Sequence, residues 1–440
     1  MKERILEITN RITGSIKRRD FTAGELKIWL FGLTLAVFFV IGCLWFLRPD
    51  TSVLEKRELT KFPKITWSAF WDGDYLNQIS TWYADTFPTR EGLIAMDQNF
   101  EELYGFRSNQ IVEGETEVAE DIPEEPEEEP IDEADENLPD GTITEKGEKS
   151  HSIYVDGNAG YELYYFTKDG VGAFTGALNK VAKRVGDKVN MYLVIAPSAA
   201  GVMLDDKLIE DMGASDQKKA LNYLYGQVDD KVTCVPVIDR LRSHNAEYVY
   251  FRTDHHWTQR GAYYAYVNFC KAKDIKPHGL GDFETAEYKG FRGTFCQKVK
   301  KLKKHPDTVE CFIPNGTNKM HLTNQNGDKY EWKIVNDVSD YDNTTLYGAF
   351  AGGDQPYAYA HNKKLDDNSR CLVIKDSFGN AFIPWLIDHY EYVYWIDIRY
   401  THQTISKMVE KHHVQDVVYC FSIFNGSTKN IKDDLLRVGK

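Results

Sequence analysis

The 440-residue chain has no CxxC pair and no Cys/His spacing of a zinc site. Its seven cysteines are scattered, so no disulfide framework organises the fold. Cys371 and Cys420 sit in apolar runs and read as buried thiols. Cys296 and Cys311 flank a basic loop and form a possible pair if that loop is extracytoplasmic. No HExxH or EF-hand spacing is present, and no metal or other cofactor is expected. No internal repeat is visible. There is no basic excess either: the formal charge is −14, and removing the 16 acidic residues between Glu113 and Glu145 leaves +2. That balance excludes a nucleic-acid footprint. Gly170-Val-Gly-Ala-Phe-Thr-Gly176 lacks the spacing and the preceding βαβ unit of a dinucleotide loop.

What the chain does have begins at its N-terminus. Residues Met1 to Lys27 carry Lys2, Arg4, Arg11, Lys17, Arg18, Arg19 and Lys27. Ile28 to Leu47 then runs 20 residues without a charge. That length spans a hydrocarbon core of about 30 Å. Val40-Ile-Gly-Cys43 has the form of a lipoprotein cleavage box, but Leu-Trp-Phe-Leu follows where a mature lipoprotein turns polar. We therefore expect an uncleaved single-pass anchor, with residues 1–27 cytoplasmic and the main domain extracytoplasmic. Residues 51–112 read as an N-terminal helical region. Within it Ser68 to Tyr104 splits into two helices at Phe87-Pro88. Phe70, Trp71, Tyr75, Trp82, Tyr83 and Phe87 give it a sticky face. Residues 113–150 are acidic and aromatic-free. Such a segment buries too little apolar area to offset its ordering and is expected to be disordered and dispensable.

From residue 151 the pattern changes. Ser152–Val155, a turn at Asp156-Gly-Asn158 and Tyr161–Phe166 read as a hairpin. Short apolar runs follow at Val189–Ile195, Val232–Ile238, Cys371–Lys375, Tyr392–Ile396 and Val417–Phe421. Helical patterns separate them at Gly176–Val185, Asp216–Val228, Gly261–Ala272, Ala381–His389 and Thr404–Lys411. This alternation predicts an α/β doubly wound parallel sheet over 151–440, with its site beyond the carboxyl ends of the strands. Residues 273–367 break the alternation. They hold the basic run Lys298-Val-Lys-Lys-Leu-Lys-Lys304 and read as an inserted lid region.

Two stretches carry chemistry. In Phe251–Tyr266, Asp254-His255-His256-Trp257 precedes a helical run. A carboxylate there can orient an imidazole, which then serves as a general base. In Cys371–Asn380 an apolar strand ends in Lys375-Asp-Ser-Phe-Gly-Asn380. A serine at that junction exposes its Oγ beside the Phe378 and Gly379 amides at a helix N-terminus. Only the second glycine of a Gly-x-Ser-x-Gly elbow is present. Three readings stay open on the residues alone. One is a Ser377–His256–Asp254 triad. The second is a metal site on the histidines with His244. The third is structural: Ser377 as a helix cap and the histidines as buried, hydrogen-bonded rings. His412-His413 reads as a surface pair at a helix end.

These two stretches, with Trp82-Tyr-Ala-Asp-Thr-Phe-Pro-Thr-Arg90 and Trp395-Ile-Asp-Ile-Arg-Tyr400, resemble the DHHW protein family. That family is similar to the acetyltransferase-like proteins of alginate O-acetylation, of the SGNH hydrolase type. The resemblance covers about Leu54 to the C-terminus, apart from the acidic segment. It implies an SGNH-like fold and an acid/base pair at Asp254 and His256. It also implies a nucleophile at Ser377, with His255 as the intervening residue. Gly353, Gly379, Asn380 and Arg399 are tentative substrate or oxyanion residues. The implied activity is O-acetyl transfer to, or removal from, a cell-surface polysaccharide. The implied donor partner is a polytopic membrane-bound O-acyltransferase. A non-catalytic glycan-binding or assembly factor on the same fold is the alternative.

The orientation is testable. Protease added to intact cells, with outer layers permeabilised, should clip the acidic segment. Protection of that segment in intact spheroplasts would reverse the topology.

Overall fold

The computed structural model describes residues 152–427 and 430–440, together with 119–123, 138–144, 147–150 and short stretches before residue 89. The chain divides into two compact units, Met1–Gln110 and Ile111–Lys440. In the first, the Arg48 guanidinium lies 3.9 Å over the Trp82 ring and donates to Thr86 Oγ1 at 2.7 Å. Phe62 meets Trp82 edge-on at 4.8 Å. The span expected at 28–47 lies outside the described residues save Gly32 and Leu33. Among the described residues no helix is long and apolar enough to cross a membrane.

The second unit is a mixed α/β fold built on one large sheet. Strands β1 (Glu148–Ser150), β2 (Ile153–Asp156) and β3 (Ala159–Glu162) form a small antiparallel meander. Gly157 turns the second hairpin at φ +54°, where a side chain would be strained. Next come α1 (Lys168–Val185), β4 (Asn190–Ala196), α2 (Gln217–Gly226), β5 (Val232–Val235) and α3 (Gln259–Ala272). The expected inserted region supplies β6 (Glu284–Phe291), α4 (Phe295–Lys298), β7 (Asp307–Ile313), β8 (Lys319–Thr323), β9 (Lys329–Lys333) and β10 (Tyr357–His361). The chain ends with β11 (Arg370–Lys375), α5 (Gly379–Leu386), β12 (Tyr392–Asp397), α6 (Ile405–His412), β13 (Asp416–Ser422) and α7 (Asn430–Val438).

Eight strands make the sheet, in the order β9-β8-β10-β12-β11-β13-β4-β5. The five from β12 to β5 are parallel and coincide with the five apolar runs. Both faces are covered, as such runs require. Tyr192 on β4 meets Phe269 of α3 at 5.1 Å. Tyr192 pairs with Val418, so Phe421, three residues on, points to the other face, where it meets Phe174 of α1. The carboxyl ends of β11, β12 and β13 converge at Lys375, Asp397 and Cys420.

Two expectations are corrected, on the inserted region and on the acidic segment, and two open points are filled in. Residues 273–367 do not sit wholly apart: β8, β9 and β10 extend the sheet antiparallel from β12. Alternation buries Met320 and Leu322 beneath exposed Lys319 and His321. Cys296 and Cys311 are free. They belong to different apolar clusters, Cys296 with Ile153 and Leu302, Cys311 with the main core. The glycines from 170 to 176 lie inside α1, where a Cβ at Gly172 or Gly176 would meet nothing within 4 Å. Finally, the ends of the acidic segment are packed. Glu120 N donates to Phe166 O, and Glu120 Oε2 accepts from Lys168 N at 2.8 Å, capping α1 where Thr167 does not. Ile122 packs on the core. Ile143 bridges Leu204 in parallel, and Gly141 N donates to Asn245 Oδ1.

Two measurements follow from this packing. Glu120→Ala should lower stability by about 0.5–1 kcal/mol in chemical denaturation, the loss of an exposed cap. His389 lies 2.5 Å from the Tyr266 hydroxyl, beside His278, Asp388 and Lys273. Burial, then His278, pushes its imidazole down from 6.5 to about 4. As pH falls, the unfolded chain binds that proton first, so stability is lost from the ordinary histidine range down to about 4. His389→Gln should flatten the pH dependence of the melting temperature across that window.

Candidate active site

The Thr253–Trp257 loop is held from several sides. Asp254 Oδ1 accepts from the His256 amide at 3.1 Å, a local turn that aspartate favours. The Thr253 amide and hydroxyl both donate to Asp307 Oδ2 at 2.7 Å. Asp307 Oδ1 also accepts from Tyr248 OH and Arg252 Nε, so its buried carboxylate has four donors. Downstream, Thr258 caps α3 by accepting from Gly261 N.

The serine loop leaves β11 directly. Asp376 shapes it. Its Oδ1 accepts from Phe378 N at 2.9 Å, and its Oδ2 from Ser422 N and Asn425 Nδ2. Two bonds then tie the loops together. Trp257 Nε1 donates to Phe378 O at 2.9 Å, and Tyr347 OH donates to Ser377 O at 2.9 Å.

The result is a continuous path. Asp254 Oδ1 lies 2.6 Å from His256 Nδ1, and His256 Nε2 lies 2.7 Å from Ser377 Oγ. Asp254 is 1% exposed and His256 7%. A carboxylate at Nδ1 keeps the proton there and leaves Nε2 as acceptor for the serine hydroxyl. The Tyr347 ring stacks on His256 at 4.0 Å and 13°. Burial, then Asp254, holds the Tyr347 phenol well above its ordinary value, so it stays a neutral donor. His255 does not face the serine. Its Nδ1 lies 2.9 Å from Thr294 Oγ1, and burial, then His256, pushes its imidazole down.

The Asp254, His255 and His256 ligand atoms lie within 4.8 Å of one another, as metal ligands also do. Here Asp254 Oδ1 and His256 Nδ1 are bonded to each other, and Thr294 N takes Asp254 Oδ2 at 2.8 Å. His244, the third candidate ligand, stacks on Tyr264 and bonds Glu247. Asp254 and His256 are thus engaged with each other, with Thr294 and with Ser377.

The tentative oxyanion residues fall in two groups. The Phe378 and Gly379 amides donate to Asp376, and the Gly353 amide to Phe350 O. These amides are committed. The Ser377 amide, by contrast, meets no acceptor among the described residues. Asn380 and Arg399 belong to a charged network in which Lys375 and Asp397 are buried, while the Arg399 and Asp354 side chains are 32% and 36% exposed. Lys375, fully buried, lies 3.0 Å from Asp397 Oδ2 and 3.5 Å from Asp354 Oδ1. Arg399 holds Asp397 through Nε and Nη2 and reaches Asp354 at 2.9 Å. Asn380 Nδ2 donates to Asp354 Oδ1 at 3.0 Å, while Asn380 Oδ1 is buried without a donor. Burial raises the Asp354 carboxyl, but Arg399, Lys375 and the Asn380 amide outweigh it and hold it far below the usual range. Two cations balance two carboxylates here, as the fully buried Lys375–Asp397 pair requires. Asp307, Thr294, Tyr347 and Asp354 all lie in the region that broke the alternation, and none carries a local motif.

The model of the DHHW protein family matches residues 55–146 and 125–396. Among solved structures, a DHHW family protein from Eubacterium siraeum DSM 15702 is 25% identical. The match covers 68% of this chain and 98% of that one, with a TM-score of 0.60. PatB1 of Bacillus cereus, solved with a sulfonyl adduct, is 18% identical over 62% and 95%, with a TM-score of 0.53. The O-acetyltransferase domain of Pseudomonas putida AlgJ is 14% identical over 65% and 98%, with a TM-score of 0.37. No curated protein matches. With its Asp254-His255-His256-Trp257 core and a family match over most of its length, this chain belongs to the DHHW protein family.

Proposed function

We propose that this protein is an SGNH-type O-acyltransferase or esterase that moves acetyl groups on a cell-surface polysaccharide. The single observation that carries the reading is the unbroken Asp254–His256–Ser377 hydrogen-bond path, with heavy-atom distances of 2.6 and 2.7 Å. Those distances suit proton transfer in a nucleophile–base pair.

Ser377 Oγ attacks the ester carbonyl carbon as its proton passes to His256 Nε2. The C–O bond to the leaving group then breaks, and His256 returns the proton to the departing alkoxide. Acetyl-Ser377 remains. A sugar hydroxyl or water, deprotonated by His256, attacks it and regenerates the serine. Asp254 holds the ring and stabilises the imidazolium formed in each half. The Ser377 amide, without an acceptor among the described residues, is the donor left over for the tetrahedral oxyanion. In this reading the five parallel strands are the core of a doubly wound SGNH-like sheet. The segment 28–47 anchors the chain, and the main domain faces outward. A polytopic O-acyltransferase hands acyl groups across the membrane.

The test uses the full-length chain and a chromogenic acetyl ester, with a sulfonyl fluoride as a serine probe. Ser377→Ala and His256→Ala should each lower turnover by about 10³-fold or more, with no further loss in the double variant. Asp254→Ala should be milder, and His255→Ala milder still. Turnover that survives Ser377→Ala would remove the nucleophile assignment. A folded protein with neither turnover nor probe labelling would favour the glycan-binding alternative.

A further inference from the structure

The basic run Lys298–Lys304 takes no part in the chemistry above, yet the fold displays it. Leu302 is fully buried in a small cluster with Ile153, Val155, Phe295 and Cys296, and Val299 packs against it. Those two apolar anchors turn the intervening charges outward. Lys298, Lys300, Lys301, Lys303 and Lys304 are all exposed, as is His305. Arg292 joins them, its Nε donating to Lys303 O at 3.1 Å.

None of the five ammonium groups has a carboxylate partner among the described residues. Elsewhere on this surface lysines are paired: Lys188 with Glu410, Lys218 with Asp239, Lys231 with Asp187. Five like charges in seven residues repel one another. With no carboxylate partner among the described residues, they project a positive potential over a Debye length of about 8–10 Å.

Their position matters as much as their charge. The ridge continues from α4, and α4 starts at the site. Phe295 N donates to Thr253 O at 3.0 Å, and Thr294 N to Asp254 Oδ2 at 2.8 Å. One helical turn separates the carboxylate that orients His256 from the first lysine.

We propose that the Lys298–Lys304 ridge binds the anionic groups of the polysaccharide that Ser377 acylates. This rests on the acyl-transfer reading. Ammonium groups act as compact point charges that take carboxylates or phosphates with little geometric demand. A ridge of them suits a flexible polymer with charges along its length. Bound there, the polymer is concentrated beside the serine without touching the reacting atoms. The ridge therefore acts on capture of polymer and not on bond making. A bilayer of anionic lipid offers the same charge. The polymer is favoured because the ridge adjoins the catalytic loop, where a long acceptor must lie.

The experiment compares the full-length chain with its Lys300→Gln/Lys301→Gln/Lys303→Gln/Lys304→Gln variant. All four side chains are exposed, so the melting temperature should not move. Binding is measured to polygalacturonate, poly(glycerol phosphate), neutral dextran and phosphatidylglycerol vesicles, alongside turnover of the small acetyl ester. The wild type should hold an anionic polymer and not dextran, and the preferred polymer identifies carboxylate or phosphate. The variant should lose about tenfold or more of that affinity, as should the wild type at high salt. Small-ester turnover should be unchanged. Equal polymer binding by both proteins would overturn the proposal, as would wild-type preference for vesicles over both polymers. If the ester is hydrolysed but no polymer is held, the ridge assignment fails alone. If polymer binding follows the lysines but neither protein turns over ester, the acyl-transfer reading fails and the ridge as an anion-binding surface stands.

Discussion

Asp254 is a carboxylate almost cut off from water, and the site is arranged around satisfying it. An isolated buried charge costs several kcal/mol, so such a group persists only with donors on every side. Here the donors are the His256 ring, the His256 amide and the Thr294 amide. The third comes from a distant segment and demands close approach. A Cβ on Gly293 would lie 2.2 Å from Asp254 Cβ, so only glycine lets that backbone in. The hydrogen bond that orients the histidine thus depends on residues some forty positions away in the chain.

The same dependence explains what the amino-acid sequence does and does not disclose. The five parallel strands are legible because each is buried on both faces and reads as a continuous apolar run. The Asp254–Trp257 motif and the strand-end serine are legible as chemistry for the same local reason. Asp307 and Tyr347 are not. One looks like any aspartate after a basic loop, the other like any tyrosine in a glycine-rich stretch. Their roles exist only once β7 and the 346–349 turn have packed against the catalytic loops. Glycines misled the placement of α1, because Gly172 and Gly176 sit on its solvent side, where nothing requires a larger residue. Composition likewise misjudged the ends of the acidic segment. Glu120 is one acid among many by count, but its carboxylate caps α1.

Two kinds of charge management coexist near Ser377. Lys375, Arg399, Asp354 and Asp397 cancel one another in a network that runs from a buried pair to a half-exposed one and ties the β11 and β12 ends together. The lysines of the 298–304 ridge stay in water and, among the described residues, meet no carboxylate. The first arrangement gives geometry at the reacting atoms; the second gives reach beyond them.

The far margin of the sheet faces a different problem. β9 is exposed along its whole length and, among the described residues, pairs only with β8. It carries Tyr330 and Trp332, 47% and 41% exposed, on the last strand of the sheet. Such a margin invites another strand to add on, the route to fibrous aggregation. Lys329, Glu331 and Lys333 alternate with the two aromatics. A second copy laid alongside in parallel register would bring each lysine against its own kind. The charges act as gatekeepers, letting the sheet grow to eight strands within the chain and discouraging a ninth from outside.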